Sequence, residues 1–218
     1  MASERASGAG GERPSGREEG AASGRGAASQ RSPGQRAGLT REAVLAGARA
    51  ALAEGGVDAL SMRRLARRLG VAPNALYSHV AGRDDLVDAL LDDTLGEVRS
   101  PDPERGDWRR GIETMMRRTY EVLLAHPDLV PLYVARRGAR GPNAVALGEQ
   151  MLTMLARGGI EGDAATEAMR TLIVHTIGFA AFATGDALPT GQSTLTPKAL
   201  DHLFARSLRW LLDGIAAA

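Results

Sequence analysis

The stretch Ser61 to Val80, SMRRLARRLGVAPNALYSHV, constrains the fold more than any other part of the chain. Leu65, Ala66 and Leu69 share one helical face, Gly70 can take the left-handed conformation that ends a helix, and Leu76 and Val80 resume the period beyond Pro73. The pattern predicts helix, tight turn, helix. Between Ser61 and Arg83 stand five arginines (Arg63, Arg64, Arg67, Arg68 and Arg83) and no Asp or Glu. A compact helix pair with such a face suits a DNA groove, where arginines and helix termini meet phosphates and short side chains reach base edges.

That local cluster carries the argument because the total charge does not. The 218 residues hold 27 basic and 26 acidic side chains, a formal net charge of +1. With 44% hydrophobic residues the chain can build one or two cores unaided. The absence of cysteine excludes a disulfide framework, thiolate zinc sites and a cysteine nucleophile. The most apolar run, Leu172 to Ala183, contains His175 and is too short for the roughly 20 residues a bilayer requires, so no membrane span and a cytoplasmic location are expected.

Taken in order, residues 1–38 are dominated by Gly, Ser, Ala, Arg and Glu without apolar period, and predict a disordered, mildly basic leader. Thr40 is placed to cap a first helix with a stripe of Val44, Leu45, Ala48, Ala51 and Leu52, ending at Gly55-Gly56. Ser61 caps the second helix, and 72–79 reads as the third. Asp84 and Asp85 suit the start of a fourth, whose stripe is Leu86, Val87, Leu90, Leu91 and Leu95. Beyond the break at 100–103 the period stays helical: 107–125, about 127–137, 142 to Gly158-Gly159, 163–184, and a last helix from Thr196-Pro197. Helix 163–184 is apolar nearly all round, which predicts burial on both sides. With the final helix it could form a four-helix bundle across a two-fold axis. The expected fold class is all-α: an N-terminal three-helix helix-turn-helix domain over 39–92, with the start of a connecting helix, and a helical effector-binding and dimerisation domain over 93–218.

From Leu39 to Asp92, LTREAVLAGARAALAEGGVDALSMRRLARRLGVAPNALYSHVAGRDDLVDALLD resembles the DNA-binding domain of the TetR family of bacterial transcriptional regulators. The match includes the Ser-Met-Arg-Arg-Leu-Ala start, Leu-Gly-Val, and the Leu-Tyr-x-His end of the recognition helix. His126-Pro127-Asp128-Leu129, Gly141-Pro142-Asn143 and the long Ala-rich helix before Gly185 are similar to the tetracycline-repressor branch. The resemblance implies that Arg63 approaches base edges, where a guanidinium can take guanine bidentately. It places Pro73, Asn74 and Ser78 on the recognition helix, and Tyr77, His79 and Arg83, with Ser61 and Met62, near the phosphate backbone. Arg67 and Arg68 fit a solvated helix face as well as a DNA contact. The residues at 72–75 and the long leader depart from any shared pattern, so no operator sequence carries over.

For an effector pocket the candidates are Met115, Met116, Tyr120, Tyr133, Met151, Met154, Arg170, His175 and Phe179, although an apolar stripe usually means packing. Arg170 and His175 need partners on so apolar a helix, Glu149 or Asp186 among them. The four histidines lack metal-ligand spacing, and no nucleophile elbow or paired-carboxylate motif is present, so no metal, cofactor or catalytic residue is expected. The expected partners are a double-stranded operator, a small, mostly apolar effector and a second copy of the chain joined through its last two long helices. Two alternatives stay open: a helical protein-interaction module, and a DNA-binding protein with a filled, ligand-independent core.

Overall fold

The computed structural model describes residues 38–185 and 195–217, and the leader 1–37 and most of the stretch joining the last two helices lie outside them. Among the described residues there are nine α-helices and no strand: α1 (Arg41–Gly55), α2 (Met62–Leu69), α3 (Pro73–Tyr77), α4 (Arg83–Leu95), α5 (Trp108–Ala125), α6 (Val130–Arg136), α7 (Pro142–Arg157), α8 (Gly162–Thr184) and α9 (Pro197–Ala217).

The helix ends follow local chemistry. The Thr40, Ser61 and Asp107 side chains accept from the backbone N–H groups of Ala43, Arg64 and Arg110, satisfying donors that have no partner within α1, α2 and α5. Gly70 closes α2 in the left-handed conformation at φ 66°. The recognition helix is shorter than 72–79. Ala72 is its extended N-cap, and Ser78 turns its hydroxyl back onto the Ala75 carbonyl at 2.8 Å.

Val44, Leu45, Ala48 and Leu52 of α1 close over Leu65, Ala66, Leu76 and Val80, and the same core continues through Leu86, Leu90 and Leu91 of α4. In the larger body α8 packs against α5, α6, α7 and α9. Its second apolar face is not buried among the described residues: Val174 is 70% and Phe182 53% exposed, and Trp210 of α9 is 61% exposed. The expected burial of α8 on both sides therefore holds for one face only among the described residues, because the other meets none of their core.

α4 is the joint between the two groups of helices. Toward the N-terminal group, Arg83 Nε and Nη2 donate to the carbonyls of Leu60 and Val57 at 2.9 and 3.3 Å, and Arg49 of α1 pairs with Asp93 and Glu97 at 2.7 and 3.0 Å. Toward the other group, Tyr133 Oη donates to the Leu91 carbonyl at 2.6 Å, and Arg136 pairs with Asp88 and, at 3.5 Å, with Asp84. Asp92, buried, takes the backbone N–H groups of Asn143 and Ala144 at the start of α7.

Candidate functional site

The candidate nucleic-acid face is the outer side of α2 and α3, whose inner side is filled by Leu65, Ala66 and Leu76. Arg63, Arg67, Pro73, Asn74, Tyr77 and Ser78 are exposed there, Tyr77 by 52%. Arg63 and Arg67 make no side-chain hydrogen bond among the described residues. Arg68 is different: it holds Glu54 through two bonds of 2.6 and 2.7 Å, and this hydrogen bonding lowers the Glu54 pKa and raises that of Arg68. Arg68 thus has a structural partner on the solvated face, and the arginine cluster narrows toward Arg63 and Arg67. Arg64 reaches back to the Asp58 carbonyl.

The remaining residues near the backbone-contact positions are partly committed inside the protein. Ser61 serves as the α2 cap and Met62 packs on the core. The His79 carbonyl accepts from Arg41 Nη1 at 2.7 Å. Two of the three nitrogens of Arg83 brace the 57–60 turn, so its first role is to hold that turn against α4.

The candidate ligand site is an internal cavity of about 170 Å³ among α4 to α8. Met116, Tyr133 and Met151 line it. Thr119, Thr176 and Arg137 do too; sequence reasoning left them out, and the signal for Thr176 was a hydroxyl on an otherwise apolar helical face. Both threonine hydroxyls donate to their own helix, to Met115 and Leu172 carbonyls, and so turn acceptor lone pairs toward other partners. Burial pushes the Tyr133 phenol well above its usual range, which keeps it a donor to Leu91. A wider furrow of about 530 Å³ runs beside Arg99, Ser100, Asp102 and Gln150, but it is open and of mixed lining, and lacks the apolar enclosure that holds a small molecule.

The other candidates lie away from the cavity. Met115 and Met154 are core, with Met154 against Gly111. Arg170 is exposed and makes no ion pair among the described residues, and Asp186 lies outside them. Tyr120, His175 and Phe179 gather instead around Phe204 of α9. Tyr120 stacks on it at 4.2 Å between centroids, and His175 lies 5.2 Å and Phe179 5.5 Å away. The helix rotation that aims these rings at α9 takes them off the cavity wall.

His175 bonds Ser207 Oγ through Nε2 at 2.8 Å, its Nδ1 is buried without a partner, and burial lowers its pKa below the ordinary 6.5. Above 6.5 both folded and unfolded chains hold it neutral. Below that the unfolded chain takes the proton first, so stability is expected to fall with pH until the folded-state pKa is passed. Denaturant titrations of the parent and of His175→Gln across this range should differ by that loss. Equal pH dependence in the two proteins would exclude His175 as its source. The loss tied to Glu97 begins only below 4.5: burial opposes its ionisation, but bonds to His126 and Arg49 outweigh that and hold the carboxyl low.

Two family profiles match the chain: bacterial regulatory proteins of the tetR family over residues 44–90, and the tetracyclin repressor-like C-terminal domain over residues 100–196. An HTH-type transcriptional regulator of Saccharopolyspora erythraea is 40% identical over 121 residues, 56% of this chain and 51% of that protein. The chain thus spans about half the length of that relative. The class C tetracycline repressor protein of Escherichia coli is 31% identical over 166 residues, 74% of this chain and 75% of the repressor. Among solved structures, ActR of Streptomyces coelicolor in complex with actinorhodin superposes with a TM-score of 0.69 at 29% identity, covering 83% of this chain and 98% of ActR. BioQ with its double-stranded DNA operator gives 0.63 at 28% identity, covering 83% of this chain and 99% of BioQ.

Proposed function

The chain belongs to the TetR family of bacterial regulators, and from this we propose that it is a ligand-responsive transcriptional repressor that binds a pseudo-palindromic operator as a homodimer. The observation that carries the reading is α4: the same helix braces the 57–60 turn through Arg83 and contributes Leu95 to the cavity wall. A cavity and a DNA-reading unit that share one helix can influence one another. BioQ bound to an operator and ActR bound to actinorhodin support the two halves of the proposal for this chain.

In this reading residues 39–92 form the DNA-binding domain and 93–218 the effector and dimerisation domain, acting in the cytoplasm. Arg63, Pro73, Asn74 and Ser78 face the bases, and Ser61, Met62, Tyr77, His79 and Arg83 lie along the phosphates. The effector sits against Met116, Tyr133 and Met151. The exposed Val174, Phe182 and Trp210 on α8 and α9 are apolar surface that a second copy would cover, and at Gly178 nothing lies within 4 Å of where a Cβ would stand, so a partner helix can approach closely there. Ligand binding would favour a position of α4 in which two recognition helices no longer match two half-sites. For that, the ligand must bind the two states unequally.

Selection of bound duplexes from a random pool, at stated salt, is expected to enrich an inverted repeat. Arg63→Ala should weaken binding to it by about 1–3 kcal/mol and relax preference at one position of each half-site. If no sequence is enriched and Arg63→Ala leaves residual binding unchanged, the exposed arginines serve a partner other than DNA.

A further inference from the structure

Resting on the effector reading of the internal cavity, we propose that its ligand is an amphipathic organic anion: an apolar body of a ring or a short acyl chain, carrying one carboxylate that Arg137 holds at the mouth. Among the described residues Arg137 is the only charged residue on the cavity wall. It is exposed while lining that wall, which places it at the rim between cavity and solvent. No carboxylate of the described residues pairs with it. Its neighbour Arg136, by contrast, is taken up by Asp88 and Asp84. The other positive feature nearby, the N-terminus of α7, is already capped by Asp92. One cationic residue therefore borders an apolar chamber without a counter-charge among the described residues.

The backbone makes an independent argument. Arg137 ends α6 in the left-handed conformation at φ 57°, and it is the only non-glycine residue with positive φ among those described. Helices that stop this way ordinarily use glycine, and a larger residue there carries a steric cost. Gly138 follows immediately at φ 101°. A side chain kept where its absence would be easier points to a use for it. The guanidinium fork matches a carboxylate through two parallel bonds.

The size of the chamber sets the apolar part. An apolar cavity of ~150 Å³ accepts benzene, and this one measures about 170 Å³. The threonine hydroxyls, which donate inward to their helices, add acceptors for at most a ligand hydroxyl. The class is therefore a monocarboxylate with a compact apolar body.

The probes are straight-chain carboxylates from butanoate to dodecanoate and benzoate to naphthoate, each matched with its primary amide, titrated calorimetrically into the full-length protein. At least one carboxylate should bind, and bind roughly tenfold or more tighter than its amide. Arg137→Gly, which suits the left-handed position and should fold at least as well, is expected to erase that difference; Arg137→Lys should keep part of it. Amides binding as tightly as carboxylates would overturn the anion assignment while leaving the cavity an effector site. Carboxylate binding untouched by Arg137→Gly would overturn the role of Arg137. Binding of neither series would overturn the effector reading itself and this proposal with it.

Discussion

Gly141→Ala is expected to destabilise the protein by about 4 kcal/mol, a large loss for one methyl group. Gly141 sits at φ 152°, ψ −179°, a region L-residues rarely enter, and an added Cβ would lie 2.7 Å from both carboxylate oxygens of Asp92. Asp92 is 6% exposed and no cation among the described residues pairs with it. Its charge is held by the first turn of α7, through the N–H groups of Asn143 and Ala144 at 3.3 and 2.9 Å and the Asn143 amide at 3.2 Å. Displacing the carboxylate would strand a buried anion and open two backbone donors together. Backbone strain contributes about 1–3 kcal/mol, and a lost charged hydrogen bond about 1.5–3 kcal/mol. Thermal denaturation should report a fall in Tm of roughly 8–16 °C for a chain of this size. A loss under about 1 kcal/mol would mean that the Asp92 cap contributes little.

The second large effect is expected at Phe204. It is 2% exposed and stacks on Tyr120 with ring planes 17° apart, while His175 and Phe179 close the remaining sides. Phe204→Ala should cost about 3–5 kcal/mol, because four rings from three helices cannot collapse into the space left. The variant also makes a spectroscopic prediction. Tyr120 Oη and His175 Nδ1 are buried without partners, and the hole would bring water to both. The His175 pKa, lowered by burial, should then climb back toward its ordinary value, visible in the imidazole proton shifts. Loss of stability without movement of that pKa would show that Phe204 does not shield His175.

Most of the helical framework is legible in the sequence because it rests on contacts of short range. Thr40, Ser61 and Asp107 cap helices whose donors lie three residues on, Gly70 stops α2, and Pro142 opens α7. What escaped depends on residues far apart. Nothing local says that Asp92 caps a helix beginning 50 residues later, or that Arg83 turns inward to the carbonyls of 57 and 60. The cavity suffers most. Tyr120 and Met116 share a helix four residues apart, yet one joins the ring cluster on α9 and the other the cavity. Only the rotation and crossing of α5 decide between them, and helical period does not encode either. Arg137 was passed over because left-handed backbone at a non-glycine residue has no signature in composition.

The fastening of α4 at both of its ends has a mechanical meaning. Arg83 ties its first residue to the 57–60 turn, while Arg49 of α1 holds Asp93 and Glu97 near its last turn, so α1 to α4 turn together as one arm. At ~1.5 Å per residue the thirteen residues of α4 give that arm a length of roughly 20 Å. A tilt of about 5° where Asp92 and Tyr133 anchor it, ~13 Å along the helix from Arg83, would sweep the Arg83 end through roughly 1 Å, about a fifth of one helical turn. With both tethers in place none of that sweep is lost to slack, and severing Arg49 should leave the arm intact at its tip but loose at its root.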